Sequence, residues 1–167
     1  MVRKDIILQK EINIDSNDYV EALSSKLSLL SSDAIIEALN MQESKTTEFK
    51  KQDNNNVSYA PKIKKEDGLI DWSKKSSDIV NQIHALSPWP SAYTRFNNKI
   101  LKILQADISK DSSKILGEVI LSDNNGIKVT CNDGSIVIKK LQLEGKKVLT
   151  ANEFLRGNKI PAGFIFR

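Results

Sequence analysis

The stretch Trp72-Ser-Lys-Lys-Ser-Ser-Asp-Ile-Val-Asn-Gln-Ile-His-Ala-Leu86 followed by Ser87-Pro-Trp-Pro-Ser-Ala-Tyr93 decides how the chain is organised. Ile79, Val80, Ile83 and Leu86 recur at helical spacing, so one side of this run is apolar. Ser73, Ser76 or Ser77 is placed to cap the helix. Pro88 ends it, because proline has no N–H and pushes Ser87 towards an extended conformation. Trp89, between two prolines, is expected to plug the core at the hinge between the helix and the β-rich segment after it, in preference to stacking on a base.

Upstream, Asp5–Ile14 reads as a strand that starts buried at Ile6-Ile7-Leu8 and ends half-exposed at Ile12 and Ile14. No strand precedes it to pair with, so the chain is expected to begin in the middle of a fold. Ser16 is placed to cap a first helix carrying Val20, Leu23, Leu27 and Leu30. Ser31-Ser32 interrupts the pattern, and a second helix carries Ile35, Ile36 and Leu39. Glu43–Asn56 is nearly free of apolar residues and reads as a mobile linker. With an unpaired apolar edge, residues 1–40 are expected to be poorly anchored and trimmed first by proteases.

Downstream the rhythm is β. Tyr93–Phe96 and Lys99–Ala106 flank the turn pair Asn97-Asn98. Ile115–Leu121 is the third strand, with Gly117 a bulge or a close approach. Turns at Asp123–Gly126 and Asn132–Gly134 separate two further strands carrying Ile127, Val129, Cys131, Ile136, Ile138 and Leu141. Five short strands at such spacing suggest an OB-like β-barrel. Thr150 and Glu153 form a capping box for the helix Ala151–Arg156, and Gly157 ends it. The apolar tail Ile160–Phe166 folds back on the barrel.

At 167 residues and 40% hydrophobic content the chain can build a core. No run reaches the roughly 18–20 apolar residues of a membrane span, and Gln9 and Lys10 arrive too soon for a signal peptide. The single cysteine, Cys131, excludes an internal disulfide and implies a reducing compartment or no redox role; the setting expected is cytoplasmic. One His and one Cys do not make a metal site. His84 reads as a helix-surface or interface histidine, Cys131 as a buried inert thiol, and no glycine loop suits a phosphate. No catalytic residue is assigned within the chain.

Charge is the better lead. Residues 1–85 carry 12 Lys/Arg against 14 Asp/Glu, whereas residues 86–167 carry 13 against 7. A basic small β domain points to a polyanion, most often nucleic acid. Its basic positions include Arg95, Lys99, Lys102, Lys128, Lys139, Lys140, Lys146, Lys147, Arg156 and Lys159. Strand alternation sets Arg95, Lys99, Lys128 and Lys139 outside. The RNA-binding candidates are Lys62, Lys64, Lys65, Arg95, Lys99, Lys128, Lys139, Lys140, Lys146, Lys147 and Arg156.

Six pieces carry a family resemblance: Asp5–Lys10 (DIILQK), Tyr59–Gly68 (YAPKIKKEDG), Ile70–Ser73 (IDWS), Leu86–Tyr93 (LSPWPSAY), the turn Gly145-Lys146-Lys147, and Thr150–Gly157 (TANEFLRG). In this order, over nearly the whole chain, they resemble the C-terminal portion of bacterial methionyl-tRNA formyltransferases. The resemblance implies an α+β fragment. Residues 1–42 would be a remnant of a Rossmann-like formyltransferase domain, one strand plus helices. Residues 43–72 would be a linker and 73–87 a bridging helix. Residues 88–167 would be an OB-like, five-stranded, tRNA-binding barrel with a short C-terminal helix. The family formylates initiator methionyl-tRNA from 10-formyltetrahydrofolate. Its catalytic Asn and His, its folate site and its acceptor-end-reading loop lie on a segment upstream of this sequence. Its catalytic Asp belongs to an Asp-x-Gly-Asp motif that reads Val2-Arg3-Lys4-Asp5 here, so the catalytic position carries Val2 and only the second Asp, Asp5, matches. The resemblance thus implies a truncated chain that binds initiator tRNA without catalysing, holds no cofactor or metal, touches no membrane, and is completed by a separately encoded N-terminal half where one exists. The alternatives are an inert remnant of a decaying gene, or the C-terminal domain of a sugar-nucleotide formyltransferase or a formyltetrahydrofolate hydrolase.

Overall fold

The computed structural model describes residues 5–53, 55 and 58–166. Val2 and the motif position it occupies therefore lie outside the described residues. By its internal contacts the chain forms two compact units, Met1–Lys62 and Ile63–Arg167.

In the first unit, β1 is only Asp5–Ile6 and pairs antiparallel with β2, Lys50–Lys51. The strand expected over Asp5–Ile14 is thus far shorter, and its partner comes from the tract read as a linker. The sequence hid this because Lys50-Lys51 has no apolar face; only the backbone ladder links it to Asp5 and Ile6. This pairing is antiparallel, unlike the parallel pairing of a Rossmann-like sheet. The two expected helices are one, α1, Val20–Glu43. Ser32 donates its hydroxyl to the Ser28 carbonyl at 3.0 Å, as Ser25 does to Glu21 at 2.9 Å, so serine here rides the helix instead of breaking it. The cap is Tyr19, not Ser16, and makes no side-chain hydrogen bond. None of α1 is buried, and Leu29, Ile35, Ile36 and Leu39 are exposed.

The second unit carries the core. Helix α2, Ser76–Ala85, buries Ile79, Val80 and Ile83 as its spacing demands, and Leu86 just beyond them. No serine caps it. The Ser76 N–H donates to Asp133 Oδ1 at 2.7 Å, from the distant Asn132-Asp133 turn. That hydrogen bond holds the Asp133 carboxyl below its ordinary value. A depressed carboxylate contributes stability above its ordinary value of 3.8, lost as pH falls through the folded value. Asp133→Ala is therefore expected to lower the thermal midpoint at neutral pH and to blunt its fall below pH 4. Thermal melts at pH 7 and pH 3 check this.

Strands β3 (Ala92–Phe96), β4 (Lys99–Ser109), β5 (Val119–Asp123), β6 (Gly126–Cys131), β7 (Gly134–Leu143) and β8 (Val148–Thr150) form one six-stranded antiparallel sheet. Its order is β3-β4-β7-β6-β5. Beyond β4, the long β7 pairs with β6 along its first half and with β8 along its second. The expected five-stranded barrel is corrected on both counts: there are six strands, and the sheet does not close. The three-residue β8 was too short to register as a period. β5 also starts later than expected. Gly117, at φ +77°, turns the chain first, and an added Cβ would lie 2.6 Å from the Phe166 carbonyl and 3.2 Å from Trp72. Gly117→Ala is expected to cost roughly 1–3 kcal/mol, read as a shift in urea midpoint.

Helix α3, Ala151–Gly157, starts with the expected capping box: Glu153 N–H donates to Thr150 Oγ1 at 3.3 Å and Thr150 N–H to Glu153 Oε2 at 2.9 Å. The tail folds back as expected, burying Ile160 and Phe166. Trp89 is a correction. It is 57% exposed, while Pro90 is buried and Ser91 clamps the turn through Leu86 and Pro88 carbonyls. The buried tryptophan is Trp72, stacked on Phe166 with centroids 6.0 Å apart.

Candidate nucleic-acid interface

Asn97 and Asn98 both take positive φ, 49° and 60°, which suits a two-residue hairpin and sets Lys99 at its mouth. The Ile100 N–H donates to Glu144 Oε2 at 3.1 Å, and the Glu144 N–H donates to the Ile100 carbonyl at 2.9 Å. These bonds bring the Glu144–Lys147 turn to the same end of the sheet, so Lys99, Lys146 and Lys147 converge there. Gln142 Nε2 donates to the Lys146 carbonyl at 2.9 Å and steadies the turn.

Register sets further cations on one face of the sheet, whereas Lys99, paired with the buried Phe96, stays at its end. Arg95 pairs with Ile100, and Tyr93 pairs with Lys102, which pairs with Gln142. Paired residues share a side, and this side is opposite the buried Leu101, Ile103 and Leu141. Lys140 lies two residues before Gln142 on the same side and is exposed. The 3-10 turn Lys65–Gly68 abuts β3, because Leu69 bridges Tyr93 and the Ile70 N–H donates to the Tyr93 carbonyl at 2.8 Å. Lys64 and Lys65 are exposed beside it, and Lys62 is exposed in the first unit. Arg156 is exposed on α3. Glu153 is lowered below its ordinary value, first by the Thr150 hydrogen bonds and then by the Lys147 and Arg156 charges.

Lys128 and Lys139 differ from the rest. Lys128 is ion-paired with Asp111, whose carboxyl it pulls down through that hydrogen bond. Lys139 lies 3.7 Å from Asp107 and donates to the Asn125 carbonyl at 2.7 Å. Both are half-buried, not on the open outer surface expected for them. Among the described residues, no carboxylate forms an ion pair with Arg95, Lys99, Lys102, Lys140, Lys146, Lys147 or Arg156. Lys102 is missing from the sequence-based candidates. Its pairing with Tyr93, two residues from Arg95, is the signal that finds it.

Chemistry has little foothold here. Of the two readings of His84, surface or interface, the buried one holds, and burial lowers its pKa despite the opposing Asp107 charge. Cys131 is buried as expected, and burial pushes its thiol up to about 11. Among the described residues, no group of His, Cys, Asp and Glu is arranged to hold a metal, and no helix is long and apolar enough to cross a membrane.

An open-edged antiparallel sheet with a cationic end, one helix packed on its core and a second closing the chain, defines the class of domain. Residues 62–159 match the family described as "Formyl transferase, C-terminal domain", and this chain belongs to that family. The chain is 38% identical over 159 residues to the methionyl-tRNA formyltransferase of Geotalea daltonii, across 95% of this chain and 51% of that protein. To the enzyme of the same name from Clostridium novyi it is 35% identical across 93% of this chain and 51% of that one. It thus spans about half the length of the curated relatives it matches. The fold is similar to that of a HypX variant from Aquifex aeolicus, with TM-score 0.65, 16% identity, and 93% of this chain and 29% of that one covered. It is also similar to WlaRD, a sugar 3N-formyl transferase, with TM-score 0.61, 24% identity, and 86% and 50% covered.

Proposed function

We propose that this chain is the part of a cytoplasmic methionyl-tRNA formyltransferase that holds initiator methionyl-tRNA. The observation that carries the proposal is two neighbouring sets of cations, none ion-paired among the described residues: Lys99, Lys146 and Lys147 at one end of the sheet, and Arg95 and Lys102 on its face opposite the core. Lysines and arginines at such spacing follow a phosphate backbone without reading sequence. Lys64, Lys65, Lys140 and Arg156 extend the contact, and Lys62 belongs to the same basic segment. In this reading residues 1–42 derive from a Rossmann-like domain, and the tract expected as a linker is divided: Lys50-Lys51 pairs back onto Asp5-Ile6, while Ile70 and Trp72 belong to the core of the second unit. The helix within 73–87 packs into the same core as the open sheet of 88–167, and together they form the tRNA-binding domain.

Formyl transfer is assigned elsewhere. It needs a base or electrostatic group held between amine and formyl donor. Two grooves of the first unit do not fit that task. One, of about 560 Å³, is lined by Ile6, Gln9, Lys50, Lys51, Gln52, Asp53 and Ser58. Another, of about 380 Å³, lies along α1 at Asp33, Ile36, Glu37, Asn40, Met41 and Ser44. Their carboxyls and amides, among them Asp33, Glu37, Asn40 and Asp53, are exposed to solvent and not set in an apolar pocket that suits a folate. An N-terminal half, on the same chain or encoded separately, would supply the base or electrostatic group.

The test has two arms. The purified chain, mixed with 10-formyltetrahydrofolate and charged initiator tRNA, is expected to yield no formyl-methionyl-tRNA. In a gel shift it is expected to bind that tRNA at 50 mM salt and to release most of it at 200 mM. Product above background, or a shift that is absent or indifferent to salt, overturns the proposal.

A further inference from the structure

A groove of about 410 Å³ lies between α3, the segment after it, and the β5–β6 turn. It is open to solvent along one side, so an occupant would lie in it with one edge or face exposed. The lining is mixed in a particular way. Asn152, Leu155 and Arg156 recur three and four residues apart, so one face of α3 presents an amide, an apolar side chain and a guanidinium. Ile160 and Pro161 continue the apolar wall, Lys159 adds a second cation, and Asp123 and Asn124 face them from the turn.

Each component narrows the ligand. A bare anion is disfavoured by the Asp123 carboxylate. An apolar ligand is disfavoured by the amides. Asp123 Oδ1 already accepts the Asn125 N–H at 2.8 Å, which leaves Oδ2 with one weak contact at 3.5 Å. That oxygen and the Asn124 and Asn152 amides present both donors and acceptors, as the edge of a nucleobase requires. Arg156 and Lys159 suit the phosphate beside it, and the apolar wall suits the flat face of the ring. Arg156, one of the exposed cations with no ion-pair partner among the described residues, lines the groove itself.

We propose that the groove takes one unpaired nucleotide of a bound RNA. Base edges within an A-form stem are poorly accessible, so the groove selects a bulged or splayed base. This inference rests on the tRNA-holding reading and adds a place where RNA structure, not charge alone, is recognised.

The experiment compares two hairpin RNAs with the same stem, one blunt and one carrying a single-nucleotide bulge, by fluorescence anisotropy with the full chain at 50 mM salt. The bulged hairpin is expected to bind about fivefold to tenfold more tightly, the low end of what one good base-edge pairing supplies. Asn124→Trp, which fills the groove from an exposed turn, and Asn152→Ala, which removes an amide, are each expected to bring the two affinities together. Both leave the chain's charge unchanged, so affinity for the blunt hairpin should stay the same. Circular dichroism confirms that each variant is folded. Equal affinities in the unaltered chain, or a preference that survives both substitutions, overturns the groove inference and leaves the basic face standing. Failure to bind either hairpin overturns the tRNA-holding reading itself.

Discussion

Replacing Lys99, Lys146 and Lys147 together by glutamine is expected to weaken tRNA binding roughly a hundredfold at low salt. It should also lower the slope of log affinity against log salt by about 2–3, because each phosphate contact contributes about 0.7–0.9 to that slope. The three lysines sit on two turns that Ile100 and Glu144 tie together by backbone and carboxylate hydrogen bonds. A phosphate backbone passing this end would meet all three at once. The control is the pair Lys128→Gln and Lys139→Gln. Those cations already face Asp111 and Asp107, so their removal is expected to change affinity by less than about threefold. Filter-binding titrations at four salt concentrations separate the two sets. Equal losses would mean that the converged end has no privileged place on the molecule.

Phe154→Ala is expected to be the most disruptive single change to the fold. Phe154 is 1% exposed and meets the edge of Phe96 at 5.9 Å between centroids. It fixes α3 to the sheet, and Phe96 in turn meets Phe164 of the tail. Deleting a buried ring costs about 3–5 kcal/mol, against about 5–15 kcal/mol that hold a typical domain together. Calorimetry should show the main transition falling by about 10–25 °C, or being lost. Phe49→Ala removes an equal volume from a side chain that is 64% exposed, and should move the transition by less than about 2 °C. A small effect at Phe154 would mean that α3 is not docked as described.

Much of the second unit was legible because its signals are local. The spacing of Ile79, Val80 and Ile83, the Asn97-Asn98 hairpin, the turns at 123–126 and 132–134, and the Thr150–Glu153 box depend on residues a few positions apart. What failed was long-range. Asp133 caps α2 from 57 positions away, which no serine count reveals. Lys50-Lys51 pairs with Asp5-Ile6 although its side chains carry no pattern. Trp89 is exposed and Trp72 holds the core place expected of Trp89, because the stacking partner of Trp72 is Phe166, far along the chain. The cationic candidates divided in the same way. Their identity is composition, but which of them face a carboxylate depends on the register of β4, β6 and β7.

By itself the order of residues established a basic second half, a helix stopped at Pro88, alternating strands closed by a capped helix, and motifs shared with a formyltransferase family. Those follow from backbone stereochemistry and from apolar periodicity, which act over one or two turns of chain. Only the tertiary structure decided that the sheet stays open, that Lys99, Lys146 and Lys147 meet at one end, that Lys128 and Lys139 are neutralised, and that α3 leaves a groove beside the β5–β6 turn. Each of these depends on which backbone groups pair across the sheet, and pairing at a distance leaves no mark in the sequence beside either partner.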